Sequence, residues 1–285
     1  MHTLIEGSIT DMENGHQYTE MTDAQRERLD QYGYLIIEDA LPPAVVGELN
    51  GAIDELYDRA RKEDTLGKGG DLNMRNCIVA HDAFLQLLDW PATIPLAWGA
   101  LSWNIQMITS HLIVLPSGPE PTEEVRRGHG MHRDGGRSFV EMQEPHPRIL
   151  LKIAYVLSDQ TDPSSGATSL VPGSNRITGQ PPRDPATGWP YGAIQMNLPA
   201  GSAFLFEQRT FHSIGHNWCG HDRRTIFMGY AYRWVKPMDY IQMPKSLVDR
   251  CSPLQKQLIG EVGDALSYYL PEEEDVPLKT FLEGK

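Results

Sequence analysis

Apolar positions at helical spacing open the readable part of the chain. Val46, Leu49, Ile53, Leu56 and Tyr57 share one face of a helix that starts near Pro43, a residue suited to a first turn because its missing N–H has no partner there anyway. Upstream, Thr22 or Asp23 can cap a shorter helix reaching about Gln31, since either side chain can accept from amides the first turn leaves unpaired. Between the two, residues 34–37 ("YLII") are aromatic and β-branched and predict a strand, which "ALPP" ends. Residues 1–20 form a polar leader open to disorder, and a further helix is expected over residues 82–101.

From residue 105 the pattern changes to short strand-like runs punctuated by Gly and Pro. Strands are predicted over 105–115, 131–133, 149–157, 168–171, 192–198, 203–206, 212–216 and 225–234. This succession argues for an antiparallel sandwich or barrel rather than βαβ units, and eight short strands suit a jelly roll. The stretch "GSNRITGQPPRDPATGWPYG" interrupts them as a candidate lid or binding loop. One more helical segment is expected over 253–269. With no repeat and no linker, residues 21–285 read as a single, mainly β domain with flanking helices.

Composition narrows the function classes. The chain has 285 residues, 40% hydrophobic and 22% charged, as ordinary globular proteins do. A net charge of -13 opposes binding to phosphate backbones and anionic membranes. No apolar run approaches a membrane span, and the first residues lack the basic start and apolar run of a secretory signal, so a cytoplasmic location is expected. The three cysteines, Cys77, Cys219 and Cys251, are scattered and read as free thiols.

The candidate chemistry lies in "HGMHRDGGRSFV", residues 129–140. In a strand, His132 and Asp134 point to one face while Arg133 points away. Two ligands hold a catalytic ion poorly, and His212 in "TFHSIGHN" is the candidate third. Two imidazoles and one carboxylate on one face of an octahedral ion leave three open positions, the arrangement of non-heme Fe(II) oxygenases. A chelating 2-oxoacid fills two and O2 the last. Arg223, in "HDRRTIF", is placed to hold the far carboxylate of that oxoacid, and Arg224 then alternates to the other face.

With these residues in view, the sequence resembles the phytanoyl-CoA dioxygenase family of Fe(II)/2-oxoglutarate oxygenases. The signatures are "LDQYGYLIIEDALPPAVVGELNGAIDEL", "HRD", "LSDQTDPSSGATSLVPGSN", "AGSAFLF" and "FHSIGHNWCGHDRR", ending near "GYAYRW". The resemblance implies a double-stranded β-helix, a cupin-like jelly-roll core with helices packed on one side. It also implies Asn217 after the distal histidine and Arg223 as the 2-oxoglutarate arginine. Three positions depart from that pattern: Gly201-Ser202 for Gly-Asp, Asn175 for the histidine of Pro-Gly-Ser-His, and Ile214 for the hydroxyl residue two after the distal histidine. Lys152, Ala154 and Thr109 are further candidates to line the cosubstrate cavity. Lys152 stands out because an ammonium on an apolar strand needs a partner.

Candidate substrate contacts are His111, Arg137, Trp189 and Tyr191, each set against a plainer role: a satisfied core histidine, a structural ion pair, and loop anchors. His129 reads as a rim histidine, His216 and His221 as solvent-facing, and Phe204 and Phe206 as core. The family resemblance implies oxidative decarboxylation of 2-oxoglutarate to succinate and CO2, coupled to hydrogen abstraction from an unactivated C–H bond of a small molecule, commonly a natural product. Hydroxylation is the default outcome; desaturation, ring closure and epimerisation begin the same way. A carboxylate at Asp134 argues against halogenation, which needs that position open to a halide. The rivals are a zinc or manganese hydrolase or isomerase, which has no need of Arg223, and a silent β-barrel binding protein.

Overall fold

The computed structural model describes residues 8–10, 17–122, 130–135 and 141–283. Strand β1 (Ser8–Thr10) pairs antiparallel with β2 (Gln17–Thr19). Tyr18 is fully buried, its ring edge-on to Trp98 at 5.3 Å and Phe281 at 5.6 Å, so the end of the polar leader is packed into the core. Helix α1 (Asp23–Tyr32) begins at a capping box: Thr22 Oγ1 accepts from the Gln25 amide at 3.2 Å, and the Gln25 side chain accepts from the Thr22 amide at 2.9 Å. Gly33 closes it with φ 79° and leads straight into β3 (Tyr34–Ile37). Helix α2 (Pro43–Lys62) buries Leu49, Ala52, Ile53, Leu56 and Ala60, the face its periodicity foretold.

Two helical expectations come apart at Pro and Gly. Instead of one helix over 82–101 there is a 3₁₀ segment, Asp82–Asp89, then α3 (Ile94–Leu101). Trp90 precedes Pro91, which pushes it out of the helical region, to ψ 124°. The helix expected over 253–269 stops at Leu258, because Gly260 takes φ 81° and turns the chain; a 3₁₀ segment at Ala265–Tyr268 and a helix at Pro277–Glu283 follow.

The main sheet adds an unforeseen edge strand, β4 (Leu72–Arg75), to β5 (Ile105–Leu115) and β6 (Leu150–Val156). Three two-residue strands follow in part: β7 (Ser169–Leu170), β8 (Ile194–Gln195) and, after β9 (Ala203–Glu207), β10 (His212–Ser213). Strand β11 (Arg223–Tyr232) completes a six-stranded antiparallel sheet of order β3-β9-β6-β11-β5-β4, faced by a three-stranded sheet of order β10-β7-β8. This is the mainly β jelly-roll core expected of the sequence, with helices on one side.

Alternation along the strands divides the core. Leu112, Val114, Ile153, Tyr155, Ile226 and Met228 pack toward the helices with Leu49 and Ile53. Ile113, Ala154, Val156, Phe204, Phe206 and Phe227 point the other way and meet Leu170 and Met196 of the smaller sheet. The polar residues of the site share this second face. At Gly229 the β11–β5 register shifts, and a Cβ there would lie 2.5 Å from Thr109 Cγ2 and 3.5 Å from Lys152 Cγ. Only glycine lets the two side chains approach each other across that strand.

Candidate metal centre

The expected strand over 131–133 is a single bridge. His132 and His212 exchange backbone hydrogen bonds of 3.0 and 2.9 Å, which sets their rings 4.4 Å apart. Asp134 lies in the turn that follows, its amide donating to the Gln208 carbonyl at 3.0 Å. The turn, rather than strand alternation, brings the carboxylate beside the imidazoles. Arg133 does face away, over the Phe211 ring and paired with Glu144 at 2.9 Å. His132, Asp134 and His212 offer ligand atoms all within 4.8 Å of one another.

The electrostatics suit a cation. Asp134 is buried; its Oδ1 accepts from Lys152 Nζ at 2.8 Å, while Oδ2 has no hydrogen-bond partner. Burial opposes its ionisation, but Lys152 and the two imidazoles outweigh that and hold the carboxyl below its usual range. Burial depresses His212 to about 4, so its ring is neutral, and Nδ1 facing the Thr210 carbonyl at 3.0 Å leaves Nε2 for an ion. An orphaned buried carboxylate oxygen beside two imidazoles, one of them held neutral, fits a divalent metal, and the N2O donor set fits ferrous iron.

The walls of the site come from the inner face of the main sheet. Thr109 sits beside the Lys152 stem, yet its hydroxyl is committed to Asp239 Oδ2 at 2.8 Å. Asp239, which sequence reasoning missed, also takes the amides of Asn76 and Ser110 at 3.0 and 3.2 Å, and Arg75 reaches Thr109 Oγ1 at 3.4 Å. Neither was legible, because β4 is short and Asp239 follows the last strand. His111 lies 2.5 Å from Asn73 Oδ1, and its pKa falls to about 3 through burial and then the charges of Arg75, Lys152 and Arg223. Ala154 is buried among Phe204 and Phe227 in the apolar layer of that face.

Arg223 is 1% exposed and forms no ion pair among the described residues. Its Nε faces Gln160 Oε1 at 3.4 Å, Nη2 donates to Thr168 Oγ1 at 3.2 Å, and Nη1 has no acceptor. Burial alone lowers its pKa to about 10, so it stays charged. A desolvated guanidinium held by two neutral oxygens is a receptor for a carboxylate. Gln160 and Thr168 both fall inside "LSDQTDPSSGATSLVPGSN" but were not singled out there. Arg224 faces the opposite side and pairs with Asp54 of α2 at 2.8 Å.

Asn217 fixes the turn between the distal histidine and the arginine. Its Nδ2 donates to the carbonyls of Leu115 and His221 at 2.8 and 2.7 Å, and its Oδ1 accepts from the Cys219 amide at 3.2 Å. Gly166 (φ 74°) lies against this turn, where a Cβ would come within 3.0 Å of the Asn217 amide. Among the remaining candidates, Trp189 packs on Met131, Val171 and Phe211, the first and last adjoining His132 and His212 in sequence, whereas Tyr191 is exposed in a groove along β7 and β8. Arg137 and His129 lie outside the described residues. His221 is exposed as expected and His216 half-buried; Phe204 and Phe206 are core, with the Phe206 ring 4.5 Å from that of His212. Cys77, Cys219 and Cys251 are free thiols.

The model of the phytanoyl-CoA dioxygenase (PhyH) family matches residues 29–225. The chain belongs to that family. This PhyH-family chain is 24% identical over 268 residues to protein Rv1501 of Mycobacterium tuberculosis, covering 88% of the chain and 93% of that protein. It is 25% identical over 155 residues to the dioxygenase cdmD of Talaromyces verruculosus, covering 54% of the chain and 48% of that protein. Its fold is similar to that of HygX from Streptomyces hygroscopicus, solved with nickel and 2-oxoglutarate bound: TM-score 0.59, 14% identity, covering 79% of this chain and 91% of that one. The carbocyclase SnoK of nogalamycin biosynthesis matches with TM-score 0.57 and 18% identity over 81% of this chain and 91% of its own. The epimerase SnoN, solved with Fe3+, alpha ketoglutarate and a nogalamycin compound, matches with TM-score 0.53 and 17% identity over 72% of this chain and 81% of its own. At these identities the likeness to the PhyH-family chain is one of fold.

Proposed function

We propose that this protein is an Fe(II)- and 2-oxoglutarate-dependent oxygenase that oxidises an unactivated C–H bond of a small molecule. The observation that carries this reading is the pairing of an orphaned Asp134 Oδ2, in a cluster with two imidazoles, with a buried Arg223 that has no carboxylate partner among the described residues. His132, Asp134 and His212 hold the iron, and Arg223, steadied by Gln160 and Thr168, holds the far carboxylate of 2-oxoglutarate. When bound, iron and cosubstrate supply the hydrogen-abstracting oxidant. The chain's part is to keep the His212 imidazole neutral, to orient the two rings through the Thr210 carbonyl and the His132–His212 bridge, and to exclude water with Phe206, Phe227 and Ala154.

Hydroxylation is the proposed outcome. Ring closure or epimerisation is the second reading, favoured by the fold shared with a carbocyclase and an epimerase. A natural-product substrate fits the same neighbours, and a cytoplasmic setting fits three free thiols; no helix of the described residues is long and apolar enough to cross a membrane. The net charge of -13 weighs against a nucleic-acid substrate. The test is an anaerobic titration of apo protein with Fe(II) and then 2-oxoglutarate. The weak visible charge-transfer band of a chelated iron–oxoacid complex is expected; iron binding without the band favours the hydrolase, and no binding favours the silent barrel.

A further inference from the structure

A second cavity, of about 400 Å³, lies past the end of β11. Along that strand Gly229 is level with Lys152, Ala231 packs with Ile108 and Leu150 in a buried layer, and Arg233 comes next on the same face. Four residues of nearly extended chain, roughly 13 Å at about 3.3 Å per residue, therefore separate Arg233, just past the strand's end, from the level of Lys152. The intervening layer, with Val235 packed against it, closes this cavity off from the metal centre along the strand.

Arg233 is the unusual member of the wall. It is 1% exposed, donates through Nη1 to the Ser267 carbonyl at 3.3 Å, and leaves Nε and Nη2 without an acceptor. Its guanidinium lies over the Tyr268 ring. The acid that most acts on its charge, Asp275, is engaged by the amides of Gly263 and Glu272 at 3.4 and 3.1 Å and forms no ion pair with it. Two unmet N–H groups on a desolvated cation are costly, and an anion that reached them through a small shift of the cavity wall would offset that cost. Around them the wall is aromatic: Trp234, half exposed yet stacked on Tyr232 at 6.0 Å, with Tyr240 and the exposed Tyr269. Lys236 adds a second cation at the rim.

We infer that this cavity is a binding site for an organic anion with a flat aromatic body, such as an aryl carboxylate or sulfonate, separate from the 2-oxoglutarate site. The anionic group sits on Arg233 and the ring lies against Trp234 and Tyr269. The competing explanation, that Arg233 only pins the Ala265–Tyr268 segment through Ser267, gives the cavity no preference for charge.

The test uses the full chain and two fluorescent probes, 8-anilinonaphthalene-1-sulfonate and its uncharged counterpart N-phenyl-1-naphthylamine. Saturable binding of one sulfonate probe per chain is expected, at least about tenfold tighter than the neutral probe, the scale of a hydrogen bond to a charged group. Arg233→Met removes that preference and Trp234→Ala weakens both probes, with thermal stability retained in the latter. Saturating Mn(II) and 2-oxoglutarate leave the binding unchanged. Equal affinity of the two probes for the wild-type chain, displacement by 2-oxoglutarate, or undiminished binding in Trp234→Ala would each overturn the inference. Because the wild-type comparison needs no variant, the outcome stands even where Arg233→Met does not fold.

Discussion

Thr168 Oγ1, just before β7 in the strand pair that carries His212, accepts from Nη2 of Arg223, the first residue of β11 in the main sheet, at 3.2 Å. In that pair His212 faces Leu170 and Ser213 faces Ser169, so continuing the register sets Thr168 opposite Ile214. The hydroxyl missing two residues after the histidine is thus supplied from the opposing strand. Thr168→Val is expected to raise the 2-oxoglutarate requirement about five- to tenfold, the worth of one hydrogen bond to a charged group, while Thr168→Ser stays near wild type. Titrating the charge-transfer band with 2-oxoglutarate reads this directly; parallel loss of iron affinity would point to collapse of the small sheet instead.

Arg223→Met should weaken 2-oxoglutarate by 100-fold or more, on the order of 3 kcal/mol for a buried charge partner. Iron binding should survive, since the guanidinium makes no contact with the triad in the structure. Metal affinity and oxoacid affinity measured separately by calorimetry distinguish the two. Normal oxoacid saturation in this variant would refute the assignment of Arg223.

Lys152 and Asp134 make a buried pair, 2.8 Å apart. Removing one partner strands the other, so Lys152→Met is expected to destabilise the metal-free protein by about 3 kcal/mol. The same change removes a cation beside the metal position, so added Mn(II) should restore more thermal stability to the variant than it adds to wild type. Differential scanning fluorimetry with and without Mn(II) checks this, and an equal metal-induced rise in both proteins would count against the pairing.

His111 gives the metal-free protein a pH dependence of known sign. Its folded pKa is about 3 against 6.5 for a free imidazole, so between those values the unfolded chain binds the extra proton. Stability should therefore fall as pH drops from about 6.5, by up to about 2 kcal/mol at pH 5 from this group. His212 and Asp134, also depressed, act in the same direction. Urea midpoints between pH 7 and 5 measure the slope, and His111→Gln should flatten it.

Legibility in the sequence followed the length of the signal. The eleven-residue strand Ile105–Leu115 was readable to its ends because all its positions but the last are buried and the run is long. The capped helix Asp23–Tyr32 carried its own start signal in Thr22 and Gln25. That His132, Asp134 and His212 come together was legible because their residue types and spacing are suggestive, although the geometry behind Asp134 was not: its place depends on a carbonyl, Gln208 O, far along the chain. The supporting groups Asn73, Arg75 and Asp239 gave no local signal, since each reaches the site through tertiary contact alone. The wall around Arg233 was equally silent, because Ser267 and Tyr268 return to it only after a helix and a glycine turn.

The three-point tie made by Asn217 has an evolutionary consequence. His212 and Arg223 flank the turn that Asn217 ties to Leu115, His221 and Cys219, so a change that loosens this turn is expected to disturb both. The long segment around Trp189 and Tyr191, by contrast, rests on Met131 and Phe211 through the Trp189 side chain and rejoins the small sheet only at β8. On the proposed function, a lineage or a directed-evolution library is expected to rewrite that segment and change the molecule accepted while leaving the His132, Asp134, His212 and Arg223 frame unaltered.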